Sequence, residues 1–98
     1  MKEWSEFRLW CDGRRTQDEL FQWKKDRLLP ALDECDVERF LVLDEPKFVL
    51  VRVDAGDTVV ERLENVLRRS LAPLFRELTA QPWSPHDDAR KLYATVGK

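Results

Sequence analysis

The side chains able to do chemistry in this chain are few and scattered. His86 is the single histidine, and Asp87 and Asp88 follow it. A metal site needs third and fourth ligands at a diagnostic spacing, and no other residue supplies them. The run Ser84-Pro85-His86-Asp87 reads instead as an N-cap, a proline at N1 and early acidic residues, opening a helix to about Ala94. Asp33, Glu34, Asp36 and Glu38 gather carboxylates near a predicted helix end. They oppose the helix dipole there, so solvation or pairing with arginine is expected rather than a tuned acid–base pair. Cys11 and Cys35 stand 24 positions apart and match neither a zinc pattern nor a C-x-x-C redox motif. They read as small buried hydrophobes kept as thiols. No catalytic residue, metal ligand or cofactor is assigned.

Ninety-eight residues make a single domain, 1–98, large enough for one core. Apolar residues make up 43% and aromatics 10%, which excludes a disordered chain. Charged residues reach 37%, yet 17 basic and 19 acidic groups leave a net charge of −2. Global attraction to nucleic acid or an anionic membrane is therefore not expected. No apolar run approaches the roughly 20 residues of a membrane span, and Met1-Lys2-Glu3-Trp4-Ser5-Glu6 has no signal-like apolar stretch. A cytoplasmic location without a membrane partner is the expectation.

The elements follow from pattern. Phe7-Arg8-Leu9-Trp10-Cys11 alternates as a strand and ends at the turn signal Asp12-Gly13. Thr16-Gln17-Asp18-Glu19 has the spacing of a capping box. Leu20, Phe21, Lys24, Leu28 and Leu32 then predict a helix over about 17–34, which Pro30 must kink or divide. From Val37 to Val53 two strands flank the turn Asp44-Glu45-Pro46-Lys47. Asp57 or Thr58 caps a second helix whose apolar stripe is Val59, Val60, Leu63, Val66, Leu67 and Leu71. Pro73 ends it, Leu74, Phe75 and Leu78 add a short further turn, and Thr79–Trp83 reads as a brief edge strand restricted by Pro82. The order is βαββαβ, which predicts an α+β, ferredoxin-like antiparallel sheet with helices on one face and a short extra C-terminal helix. In that topology Cys11 and Cys35 sit at opposite ends of the first helix, roughly 25 Å apart.

Alternation sorts the strand faces. Val49, Val51 and Val53 point toward the helices, as do Phe7, Leu9 and Cys11. The opposite face carries Trp10, Leu41, Leu43, Phe48 and Leu50, mixed with Arg8, Arg39 and Arg52. A sheet face left to solvent should be polar, and this one is not. An apolar patch rimmed by arginines marks an interface. These eight residues are the candidate binding surface, and its expected occupant is a second copy of the chain or a protein or peptide partner. The chain's own C-terminal helix, through Leu92 and Tyr93, is another candidate cover. Single-stranded RNA is the alternative ligand, since aromatics on the first and third strands occupy base-stacking places, although the usual aromatic motif is missing from Lys47-Phe48-Val49-Leu50-Val51-Arg52-Val53. Phe48→Asp is expected to disrupt assembly while sparing the fold.

Two resemblances remain. Gln17-Asp18-Glu19-Leu20-Phe21-Gln22-Trp23-Lys24 partly resembles a sliding-clamp docking peptide, but Lys24 replaces the second aromatic and the segment lies inside a capped helix. Phe7-Arg8-Leu9-Trp10, Leu28-Leu29-Pro30-Ala31-Leu32, Val37-Glu38-Arg39-Phe40-Leu41-Val42 and Glu45-Pro46-Lys47-Phe48-Val49-Leu50-Val51-Arg52-Val53 resemble the thiopeptide-type bacteriocin biosynthesis domain of lantibiotic dehydratases. That resemblance implies a similar β-α-β-β-α order and peptide-substrate processing; a small-ligand or peptide-processing accessory domain using the same face is the enzymatic alternative. The family's His-Leu-Arg after the proline is replaced here by Lys47-Phe48-Val49, so no catalytic residue carries over.

Overall fold

The computed structural model describes residues 4–13 and 16–84. The strands are β1 (Trp4–Cys11), β2 (Phe40–Asp44), β3 (Phe48–Val53) and β4 (Phe75–Trp83). They form one antiparallel sheet in the order β2-β3-β1-β4. The helices are α1 (Gln17–Trp23), a π-helical turn (Lys24–Leu28), α2 (Leu29–Glu34) and α3 (Asp57–Arg69). Sheet order and connections are those of the expected α+β, ferredoxin-like βαββαβ arrangement. The expected C-terminal helix, with His86, Leu92 and Tyr93, lies outside the described residues. No described helix is long and apolar enough to cross a membrane.

The first helix begins as its capping box requires. The Thr16 hydroxyl accepts from the Glu19 amide at 3.1 Å and donates to the Glu19 carboxylate at 3.2 Å. Pro30 divides the helix in a specific way. Its ring clashes with the carbonyl four residues back, and the chain answers by widening one turn. The Leu29 amide accordingly bonds to the Lys24 carbonyl, five residues away. The widening also corrects the buried stripe. Trp23, not Phe21, faces the core, and the five-residue step from Trp23 to Leu28 spans the wide turn. The indole N–H of Trp23 donates to the Ser70 carbonyl at 2.9 Å, and its ring meets Phe75 edge-on. Phe21 is left 66% exposed.

At the other end, Asp36 takes φ 57°, its amide bonds to the Asp33 carbonyl and the Val37 amide to that of Leu32. This left-handed cap satisfies the last helix carbonyls and drops buried Val37 into the core before β2 starts. Asp36 in the predicted carboxylate cluster thus has a backbone reason for being there.

Three expected boundaries are corrected. β1 starts at Trp4 rather than Phe7, because β4 is long enough to pair with it down to Trp4↔Trp83. The stretch Leu74–Leu78 is not a helical turn: β4 begins at Phe75, and pairing with β1 overrides the local helical spacing. The N-cap of α3 is Gly56, with Asp57 in the first turn and no side-chain cap bond.

The core lies between the helices and the inner sheet face. Phe7, Leu9, Val49, Val51 and Val53 are fully buried there, against Leu20, Leu28, Leu32, Leu63 and Leu67. Each buried leucine contributes about 2 kcal/mol through removal from water. No disulfide joins Cys11 and Cys35. Burial raises the Cys35 thiol above its ordinary range, Glu34 and Asp36 add to this, and Arg62 opposes it. A thiol raised in this way stabilises the fold while protonated, and that contribution is lost as pH climbs into the alkaline range. Alkylation of the native chain near neutral pH, read by mass spectrometry, is expected to label half-buried Cys11 well before Cys35; equal rates would contradict this placement.

Candidate functional site

The outer sheet face is a grid whose rows are set by strand register. The first row pairs Trp83 with Trp4, and the second reads Gln81, Glu6, Arg52 and Leu41 from β4 toward β2. Thr79, Arg8, Leu50 and Leu43 form the third, and Glu77, Trp10 and Phe48 the fourth. Seven of the eight predicted surface residues therefore share this face by register. Arg39 stands one residue before β2 rather than within it. Its side chain nevertheless reaches this side, with Nη1 3.4 Å from Asp54 Oδ2 and the guanidinium 5.7 Å from the Trp4 ring centre.

The centre of the face is built around Glu6, which is 2% exposed. Its Oε1 lies 3.5 Å from Arg8 Nε and 3.7 Å from Arg52 Nη2, and Gln81 Nε2 donates to Oε2 at 2.9 Å. A buried charge persists only with such partners. Each arginine also covers an aromatic ring. Arg8 sits 5.1 Å from the Phe48 centroid, and Arg52 4.0 Å from that of Trp83. Trp10 tilts against Phe48 at 4.8 Å and donates its indole N–H to the Thr79 hydroxyl at 3.2 Å.

These contacts divide the predicted surface in two. Leu50 is only 4% exposed, between Arg8 and Leu43 in its row, while Phe48 and Trp10 partly cover each other and Arg52 lies over Trp83. Leu41 and Leu43, on β2, remain 46% and 44% exposed. The open apolar part of the face is thus its β2 side. Glu6 shares a face with Arg8 and Trp10 by alternation alone. Its burial was not foreseeable that way, because Gln81 comes from the far end of the chain. Trp4 was missed because its strand was placed too short, whereas Thr79 and Trp83 lay inside the expected edge strand but were not sorted onto a face.

On the other side of β2, a groove of about 380 Å³ runs between that strand and the π-helical turn. Phe21, Lys24, Lys25, Leu28, Leu29, Phe40 and Val42 line it. Lys24 Nζ is held at 2.7 Å by Asp44 Oδ2. The lining is apolar apart from the lysines, and no set of convergent polar groups faces into it. Among the described residues, no group of three or more His, Cys, Asp or Glu side chains is gathered to hold a metal ion.

No protein-family model matches the chain, and no curated protein matches it. Solved structures do. A dimeric ferredoxin-like protein of unknown function from Thermobifida fusca YX superposes with a TM-score of 0.52 at 14% identity, over 84% of this chain and 90% of that one. The de novo designed protein Ferredog-Diesel gives 0.46 at 19% identity, over 83% and 86%. The chain is a small α+β domain with the ferredoxin-like fold.

Proposed function

We propose that this protein is a non-catalytic interaction module that associates with a second copy of itself through the β2 side of its outer sheet face. The observation that carries this reading is the pair Leu41 and Leu43, nearly half exposed on a sheet face that none of the described helices covers. Adjacent large apolar side chains on an open strand are costly to leave in water, and covering them drives association. The similar fold from Thermobifida fusca YX is described as dimeric, which lends support.

The nucleic-acid reading has less to stand on. Phe48, Trp4 and Trp83 each carry a guanidinium over the ring, so the faces that would stack bases are already occupied. Glu6 and Asp54 neutralise much of the arginine charge on the same face. A small-ligand or peptide-processing role would need convergent polar groups in a pocket. The groove beside β2 offers two lysines, one of them tied to Asp44.

The test is hydrodynamic. Sedimentation of the wild-type chain over a concentration series is expected to show a dimer, and the double variant Leu41→Glu, Leu43→Glu to show a monomer with unchanged circular dichroism. Repulsion between glutamates and loss of apolar burial together raise the dissociation constant by at least about 100-fold. An unchanged dimer in the double variant would sink the reading.

A further inference from the structure

We infer that the second copy joins edge to edge along β2, so that two four-stranded sheets become one continuous sheet across a two-fold axis at Val42. This inference rests on the proposed self-association and specifies its geometry. The backbone carries it first. Glu45 N–H donates to the Phe48 carbonyl at 2.9 Å, and Asp54 N–H to the Arg39 carbonyl at 3.0 Å. Leu41 opposes Arg52 and Leu43 opposes Leu50. Hydrogen-bonded pairs alternate along an antiparallel ladder, so residues 39, 41, 43 and 45 turn their backbone groups toward β3. Phe40, Val42 and Asp44 then present their N–H and C=O groups to the open edge, where no described strand pairs with them.

The side chains carry it next. Exposed sheet edges are normally blunted by proline, lysine or a bulge. At the opposite edge, β4 carries Arg76, Glu77 and Pro82, and its register with β1 shifts near Cys11. The β2 run Phe40-Leu41-Val42-Leu43-Asp44 has no proline, lysine or bulge, and its one charged residue, Asp44, stands at its end. The large apolar side chains exposed in the described structure are Phe21, Leu29, Leu41 and Leu43, and all of them flank this strand. Phe21 and Leu29 lie on its helix side, and the two leucines on its outer face.

Self-pairing about Val42 uses the open backbone groups and the two exposed leucines. Val42 meets Val42 of the second copy, and Phe40 meets its Asp44, all as hydrogen-bonded pairs. Leu41 meets Leu43 of the second copy at the closer, non-hydrogen-bonded spacing, where side chains pack best. Asp44 of the second copy arrives beside Phe40, in the wall of a groove where Lys24 is held by Asp44 of its own chain and Lys25 is left to meet it. The charges are complementary, and the two-fold axis repeats the match.

The experiment is amide hydrogen exchange by NMR on the intact wild-type chain over a concentration series, paired with sedimentation of Val42→Pro. As the dimer forms, the amides of Phe40, Val42 and Asp44 are expected to slow together, by about 100-fold when the dimer is saturated. Val42→Pro removes an N–H that points outward, so the β2–β3 ladder survives while the dissociation constant rises about 100-fold. If that variant loses its circular dichroism, the wild-type exchange pattern decides alone. A dimer whose Phe40, Val42 and Asp44 amides exchange at the monomer rate, or one that survives in folded Val42→Pro, overturns edge pairing and leaves self-association standing. A chain that stays monomeric throughout overturns both, and slowing of those amides only on addition of an extended peptide would replace the second copy by a peptide.

Discussion

Phe7→Ala is expected to destabilise the folded chain by about 3–5 kcal/mol, the range for a large-to-small change at a fully buried aromatic. Phe7 has no solvent exposure and sits on β1, an inner strand of the sheet. Its register partners are Val51 on β3 and Ala80 on β4. Ala80 contributes only a methyl group toward any space left behind. β1 is hydrogen-bonded on both sides, so its backbone cannot collapse to fill the void. Loss of apolar transfer and an unfilled cavity therefore add. Against a total stability of about 5–15 kcal/mol for a domain of this size, the fraction lost is large. Urea denaturation measures it: the midpoint falls sharply while the slope stays constant, as for a change in stability alone. Leu43→Ala, on the exposed side of β2, is the internal comparison and is expected to stay within about 0.5 kcal/mol of wild type for the monomer. A loss at Phe7 no larger than that at Leu43 would mean that the inner sheet face is not the core.

Much of this architecture was legible because local and global signals agree at particular residues. Thr16 and Glu19 mark a helix start by chemistry alone, and the structure shows the Glu19 amide donating to the Thr16 hydroxyl, with the Glu19 carboxylate returning to that hydroxyl rather than to the Thr16 backbone. Val49, Val51 and Val53 fix the inner face of β3 by alternation, and all are fully buried. Other features were not legible, for identifiable reasons. Pro30 announces a disturbed helix, but the choice between a kink and a widened turn depends on seating Trp23 beneath Ser70 and Phe75. Leu74, Phe75 and Leu78 have helical spacing, and only pairing with the edge of β1 draws Phe75 and Leu78 into a strand.

The candidate site divides along the same line. Period-two alternation was enough to put Arg8, Trp10, Leu41, Leu43, Phe48, Leu50 and Arg52 on one face, since membership of a face is a property of each strand alone. Exposure is a property of the assembled rows. Leu50 is closed over by its neighbours, whereas Leu41 and Leu43 are not, because β2 is the last strand of the sheet. That difference moves the open apolar surface from the middle of the face to its edge, where backbone groups are also unpaired.

The occupied middle of the face is itself testable, through Glu6→Ala. Glu6 shares its strand with Phe7 but points the other way, into a row between Gln81 and Arg52. Truncation removes the carboxylate that lies within 3.7 Å of both Arg8 and Arg52, and takes the acceptor from the Gln81 amide. Two like charges then face each other beside a desolvated gap, and such one-sided deletions cost about 3–5 kcal/mol when fully buried. The arginine side chains are 36% and 17% exposed, so water relieves part of this and about 2–3 kcal/mol is expected. The repulsive share is screened, so added salt narrows the gap to wild type. The paired change Glu6→Leu with Arg52→Leu separates the two contributions: it removes opposite charges together and is expected to recover most of the loss, since apolar replacement of a buried ion pair is often neutral. Because Leu41 stands next to Arg52 in the same row, the paired variant also extends the apolar surface toward β2. It is therefore expected to associate more tightly than wild type in the same sedimentation series. A Glu6→Ala loss below about 0.5 kcal/mol would show that the carboxylate contributes no net stability, leaving the guanidinium–aromatic contacts to hold the centre of the face.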